Sequence, residues 1–492
     1  MHLGRSIFQW LFLFIPLNLN AQDHQARYFP PEDALVRQKI DQWQDIKFGL
    51  LMHWGPYSQW GVVESWSICA EDEPWCFQGT DYVRYKQDYE QLPATFNPER
   101  FDPAKWARAA RDAGMKYVVF TTKHHDGFCM FNTKTTDYKI TGPGCPFSNN
   151  AKADVTREIF NAFRTEGFMV GAYFSKPDWH SEYFWWPKFA TPDRNVNYDI
   201  SKHPDRWQKF VEFTRAQINE LVTNYGKLDI LWLDGGWVQA LRPEEPLFFQ
   251  KMNALSLEQG YGQIRIPQNQ DVEIDSIASM ARQKQPGLIV VDRAVEGKNQ
   301  NYLTPEQTVP STYLPYPWET CMTMGGNWSY NFHEQYKSAW QLIHLLADVV
   351  SKGGNLLLNI GPGPDGQWHQ EAYDRLVEIG NWMKVNHEGI YNTRGMKKFA
   401  DGSFRFTRGK DGKLYAIYLA SESEEMIPSE LVFSAIKPQK NARIRMLGYD
   451  HLLKWKMQGN EVRIAVPKIM QINPPSRYAW VISVSAVQEN PD

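Results

Sequence analysis

Cysteine is scarce in this chain. Five occur in 492 residues (Cys69, Cys76, Cys129, Cys145 and Cys321), and no two form a CxxC pair. That argues against a structural zinc site. An odd count leaves at least one thiol outside any pairing within the chain. Cys69 and Cys76 are close enough in sequence to pair, but a chain this long can bury a core that needs no disulfide. Runs of one charge sign are also missing. Lys and Arg number 53 against 56 Asp and Glu. This balance excludes a basic nucleic-acid surface and a polybasic membrane anchor as leading readings. Beyond the N-terminus no apolar stretch is long enough to cross a bilayer. Repeats and low-complexity tracts are absent as well.

Tryptophan is plentiful, at 20 residues. A Trp-rich core would account for it, and so would aromatic platforms for the apolar faces of sugar rings. The N-terminus, MHLGRSIFQWLFLFIPLNLNAQ, reads as a secretory signal over residues 1–21. Arg5 supplies the positive region, residues 7–17 the short apolar run, and Ala21 the last residue before cleavage. The mature protein is expected to be exported, to a periplasmic or extracellular space or to a lysosome-like compartment. Oligomeric state is not readable.

Between about residues 35 and 390 amphipathic helices alternate with short apolar runs. In FDPAKWARAARDAGMKYVVFTTK, Asp102 is an N-cap candidate and Pro103 takes the first helical position. Trp106, Ala109, Ala110 and Ala113 share a face, Gly114 ends the helix, and KYVVFTT is a buried strand. DVTREIFNAFRTEG leads into FMVGAYFS in the same way, and 205–226 leads into LDILWLD. GLIVVDR, PWETCMTM and GGNLLLNIG follow. Strands alternating with helices predict a parallel sheet, and the length suits a (β/α)8 TIM-like barrel. From about 395 to 492 the texture changes to short strands divided by Gly, Asp and Asn turns. KDGK is a hairpin signal within it. This predicts a C-terminal antiparallel β-sandwich.

The strand ends carry the chemistry. KFGLLMHW ends at His53 and KYVVFTTKHH at His124 and His125. MVGAYFS carries Tyr173 and Ser175, LDILWLD ends at Asp234, and GLIVVDR at Asp292 and Arg293. In a barrel these ends converge on one face, where active sites sit. Asp234 precedes two glycines and is flanked by Trp232 and Trp237, a setting that suits attack on an anomeric carbon. Glycoside hydrolysis needs a second carboxylate. Glu296, Glu306 and Glu319 are the candidates downstream. A loop acid exchanges protons readily, which favours Glu306 over Glu319. The three histidines could supply metal nitrogens. However, adjacent residues on a strand point to opposite sides, and no further ligand spacing is present. Hydrogen bonding to sugar hydroxyls fits them better, and no metal or cofactor is expected.

Together FGLLMHWG, TTKHHDGF, LDILWLDGGW, VVDR, PWETC with NWSY, GGNLLLNIGPGPDG and NHEGIY resemble the α-L-fucosidases of glycoside hydrolase family 29. The resemblance covers about residues 35–395. It implies a retaining exo-α-L-fucosidase without metal, acting on fucosylated oligosaccharides or glycoconjugates. Asp234 would be the nucleophile and Glu306 the acid/base, with Glu319 the alternative. His53, Trp66, His124, His125, Tyr173, Trp232 and Arg293 would line the fucose pocket. Where the family often has a Glu-Trp pair, this chain reads Glu64-Ser65-Trp66, which puts the role of Glu64 in doubt. A non-catalytic glycan-binding protein, a related glycosidase of altered sugar specificity and a metal-dependent hydrolase remain the rival readings. Segments 64–90 and 176–200, rich in Trp and Tyr, are expected to contact neighbouring sugars.

Overall fold

The computed structural model describes residues 27–488, except 70–75, 77, 78, 80, 192, 264, 265 and 425. The leader expected over residues 1–21 lies outside the described residues. No helix among the described residues is long and apolar enough to cross a membrane.

Seven parallel strands form the main sheet. They are β1 (Phe48–Met52), β2 (Tyr117–Lys123), β3 (Met169–Ser175), β4 (Ile230–Asp234), β5 (Ile289–Asp292), β6 (Glu319–Thr323) and β7 (Asn355–Asn359). Their order across the sheet is β5-β4-β3-β2-β1-β7-β6. Each expected strand is present, but the eight-stranded barrel is not formed among the described residues. Between the edges β5 and β6 runs the segment 299–307, which makes only isolated backbone pairs. Gln300 bridges Val291 on one side, and Leu303 and Glu306 bridge Trp318 and Cys321 on the other. Pro305 and the polar residues around it do not sustain a ladder.

Side-chain alternation divides the strands between two cores. Leu51, Tyr117, Val119, Tyr173, Ile230, Trp232, Ile289, Val291, Cys321 and Leu357 point inward. Leu50, Met52, Val118, Phe120, Val170, Ala172, Leu231, Leu233 and Val290 point outward to the helices. The helix Ala34–Ile46 closes the end of the inner core nearer the strand N-termini. Its Trp43 stacks on Tyr302 with ring centroids 4.1 Å apart. The outer helices start as the sequence dictates. Asp102 caps Pro103–Asp112 by accepting from the Lys105 amide, with Pro103 in the first turn. Helix Pro204–Asn224 buries Trp207, Phe210, Val211, Ile218, Leu221 and Val222.

Nine further strands follow: β8 (Thr393–Arg394), β9 (Ala400–Asp401), β10 (Phe404–Gly409), β11 (Leu414–Leu419), β12 (Glu430–Phe433), β13 (Ile444–Met446), β14 (Trp455–Gln458), β15 (Glu461–Ala465) and β16 (Ala479–Val484). They make one antiparallel sheet ordered β13-β16-β11-β10-β8, with β9 on β10, and a second ordered β12-β15-β14. The two share a core in which Phe433 packs on Phe404 and Phe406 at 5.2 and 5.5 Å. Residues 410–413 turn the β10–β11 hairpin, with Gly412 at φ 83°.

Candidate active site

The C-terminal ends of the parallel strands surround a pocket of about 170 Å3. Nine of the ten residues to which the resemblance gives a catalytic or pocket role line it: His53, Trp66, His124, His125, Tyr173, Trp232, Asp234, Arg293 and Glu306.

Asp234 is the last residue of β4, and its turn needs the glycine that follows. Gly235 has φ 87°, and a Cβ there would run into the Pro177 ring. Tyr173 donates to Asp234 Oδ2 at 2.6 Å, and Arg293 Nη1 donates to Oδ1 at 3.0 Å. Burial alone would raise the Asp234 carboxyl. The Arg293 guanidinium, with the imidazole edge and the Tyr173 phenol, outweighs burial and holds it well below the usual carboxylate range. Arg293 reaches the other way too: its Nη2 donates to Glu306 Oε2. One guanidinium thus ties together two carboxylates from different elements.

The histidines follow from where β2 stops. The strand ends at Lys123 after a register irregularity, and the Gly127 amide closes a turn on the His124 carbonyl at 3.1 Å. Alternation therefore no longer applies, and both rings turn to the pocket with centroids 4.2 Å apart. Asp126 and Gly127 build that turn. Asp126 accepts from the Phe128 amide at 3.1 Å and from the Tyr89 hydroxyl at 2.7 Å, and Gly127 has φ 79°. Each imidazole is oriented by a hydrogen bond at Nδ1: His53 with Asn359 Oδ1 at 2.9 Å, His124 with Ser65 Oγ at 2.6 Å, and His125 with Ser175 Oγ at 2.8 Å. Burial pushes all three downward, His125 to about 3, so they are neutral near pH 7. Neutral imidazoles can accept and donate to hydroxyl groups.

His124, His125 and Asp234 also present ligand atoms within 4.8 Å of one another. Both Asp234 oxygens are already hydrogen-bonded, and the Arg293 charge lies against the carboxylate. A metal cation would have to compete with that guanidinium, so the donor set fits a polar neutral ligand better than a dication.

Glu319 lies elsewhere. It is two residues before Cys321 on β6, so it points the same way but about 6.6 Å deeper along the strand. Fully buried, it accepts from Tyr117 at 2.7 Å and from Trp232 Nε1 at 3.2 Å, and burial raises its carboxyl to about 7. Cys321, one layer up, lines the pocket beside Glu306. Glu296 is exposed.

Sequence reading left out Leu51, Arg194, Cys321 and Trp328, which also line the pocket, and it doubted Glu64, which lines it too. Glu64 is 1 % exposed, its Oε1 has no hydrogen-bond partner among the described residues, and burial raises its carboxyl to about 8. The orienting Asn359 ends β7, so the strand-end rule that found Asp234 would have found it as well. Arg194 carried no such signal. Its guanidinium lies 4.7 Å above the Trp66 ring and 5.2 Å above Trp237, while its carbonyl accepts from the indoles of Trp179 and Trp237.

Comparisons with known proteins identify the family. The alpha-L-fucosidase family profile matches residues 16–388, and the alpha-L-fucosidase C-terminal domain profile matches 397–485. An alpha-L-fucosidase of Branchiostoma floridae is 26% identical, over 96% of this chain and 99% of its own. The structure of alpha-L-fucosidase isoenzyme 1 from Paenibacillus thiaminolyticus superposes with a TM-score of 0.71 at 27% identity, covering 92% of this chain and 100% of that one. Thermotoga maritima alpha-fucosidase in complex with a mechanism-based inhibitor gives 0.70 at 25%, covering 93% and 100%. With two carboxylates on one guanidinium at the strand ends, and a profile match over most of its length, the chain belongs to the alpha-L-fucosidase family.

Proposed function

We propose that the protein is an exported, retaining exo-α-L-fucosidase that removes terminal α-L-fucosyl residues from glycans. The proposed catalytic unit is residues 35–390, with residues 395–492 as the second domain and residues 1–21 as a cleaved leader. The observation that carries the mechanism is Arg293 bound to Asp234 and Glu306 at once. Two carboxylates sharing one guanidinium fit the closer spacing of retaining enzymes, about 5–5.5 Å, better than the wider spacing that leaves room for water.

In this reading Asp234, kept ionised, attacks the anomeric carbon from the end of a rigid strand. Glu306 gives its proton to the departing glycosidic oxygen. The bond to the leaving group breaks as the fucosyl–aspartate ester forms. Glu306, now a carboxylate, takes a proton from water. That water attacks the same carbon, and Asp234 leaves as the carboxylate. Tyr173 and Arg293 stabilise Asp234 at both ends of the cycle. His53, His124 and His125 hold sugar hydroxyls, with Trp66 and Trp232 as aromatic walls. No step calls on a metal or cofactor.

The test is Asp234→Gly assayed on 4-nitrophenyl α-L-fucoside. Hydrolysis should fall by about a thousandfold or more, and sodium azide should restore turnover with a fucosyl azide as product. Full hydrolysis by this variant would remove Asp234 from the mechanism.

A further inference from the structure

A second cavity, of about 290 Å3, opens where the chain after β8 meets the C-terminal sheets. Tyr313, Lys397, Lys398, Arg408, Ile436 and Gln488 contribute to its lining, and no carboxylate does among the described residues. It lies at the opposite end of the parallel strands from Asp234. The Leu314 amide, next to Tyr313, donates to the carbonyl of Lys352, which stands just before β7 begins at Asn355.

Nearby cations show how this surface ordinarily treats charge. Arg394 pairs with Asp41 and with Asp45, the latter at 2.6 Å. Lys410 meets the same two acids at 2.8 and 2.7 Å. Arg405 and Lys352 share Asp348 at 2.6 and 2.7 Å. Lys398 and Arg408 have no such acid among the described residues. Arg408 even faces another cation, Arg394, across the β10–β8 pair. Arg394 has its two acids, so Arg408 is the member of that pair whose charge an oxyanion held in the cavity would meet.

We propose that this cavity binds an acidic sugar and anchors a glycan away from the catalytic pocket. The planar fork of Arg408 matches the oxygens of a sulfate ester or a uronate carboxylate, and Lys398 adds a point charge. Tyr313 adds an aromatic ring to the lining and Gln488 a carboxamide whose nitrogen donates to the Pro438 carbonyl at 3.3 Å, which leaves its oxygen to accept from a sugar hydroxyl. The cavity is near the lower end of ligand-pocket sizes, roughly 300–1,000 Å3, which suits one sugar unit. Choosing a sugar over a bare anion rests on the fucosidase reading.

Isothermal titration of the full chain with four probes tests this: galactose 6-sulfate, methyl glucuronide, galactose and inorganic sulfate. At least one acidic sugar should bind with a Kd of about 1 mM or tighter, and galactose should not. Arg408→Ala should bind about tenfold more weakly and Lys398→Ala severalfold, with further loss in concentrated salt. Both side chains are exposed, so both variants should hydrolyse 4-nitrophenyl fucoside as the unaltered protein does. That assay is run in parallel, so a failure of the fucosidase reading shows separately. Binding of neither acidic sugar, undiminished binding by the double variant, or inorganic sulfate binding as tightly as the sugar sulfate would each overturn the proposal.

Discussion

Replacing Tyr173 by Phe removes one oxygen and leaves the packing intact. The ring is fully buried, stacked against Trp232 and His124 at 5.2 and 5.8 Å. The lost hydroxyl is the one 2.6 Å from Asp234 Oδ2. Without it that oxygen keeps no side-chain hydrogen bond among the described residues; His125 Nε2, at 3.9 Å, is beyond hydrogen-bond reach. Oδ1 keeps Arg293. A hydrogen bond to a charged group contributes about 1.5–3 kcal/mol. At about 1.4 kcal/mol per tenfold, kcat/KM should fall by about 10- to 150-fold. The Asp234 carboxyl rises when the phenol goes, but the guanidinium still favours its ionised form. The loss should therefore hold from pH 5 to 8 rather than appear as a displaced optimum. The assay is kcat/KM on 4-nitrophenyl α-L-fucoside across that range, with a melting curve as the fold control. A loss below about threefold at every pH, with the fold intact, would show that the 2.6 Å contact contributes nothing to the reaction.

Glu306→Ala should lose most activity on glycosides with poor leaving groups and little on activated aryl fucosides, whereas Glu319→Gln should treat both alike; the reverse pattern would make Glu319 the acid. Gly235→Ala must hold φ 87° and push against Pro177. It should cost about 1–3 kcal/mol of stability in urea melts and reduce turnover; an unaltered protein would show that the turn is not constrained. Burial of His125 gives a pH effect whose sign is fixed. Its imidazole takes up a proton near pH 6.5 in the unfolded chain but only near about 3 when folded. Its share of stability is thus full above pH 6.5 and is lost as pH falls toward 3. Between pH 7.5 and 5 the unaltered protein should lose about 2 kcal/mol more than His125→Asn does. Equal losses in chemical denaturation would contradict a neutral, buried imidazole.

Most of the site was legible because it sits on strand ends, where local rules hold. A hydrophobic run that ends in a polar residue marks Asp234, His53 and Arg293, and at Asp234 two glycines follow directly. His124 and His125 were harder. Only the early end of β2 lets neighbouring residues face one way, and that end depends on the Asp126–Tyr89 contact from a distant helix. The depth of Glu319 has no local signature. Its motif ends a loop and begins a strand, and nothing local says that Tyr117 and Trp232 will draw it one layer inward. Arg194 depends on ring contacts made across more than forty residues of chain. The missing eighth strand has a local cause, since residues 299–307 lack the alternation of a strand, but only the sheet shows that they fill its place.

That segment separates the two carboxylates by kind of backbone. Asp234 belongs to a ladder shared with two neighbouring strands, whereas Glu306 is placed by a few bonds to the edge strand β6. The Leu303 amide donates to the Pro317 carbonyl at 3.1 Å, the Glu319 amide to Leu303 at 2.8 Å, the Cys321 amide to Pro305 at 3.3 Å, and the Gln307 amide to Cys321 at 3.0 Å. The length of chain between Asp234 and Glu306 is therefore free to drift. An insertion near residue 297 would be absorbed in the exposed turn, while one added residue between 303 and 306 would turn Glu306, the proposed proton donor, away from the pocket. In distant relatives the spacing to search for is not that from Asp234 to Glu306, but that from Glu306 to the strand that follows it.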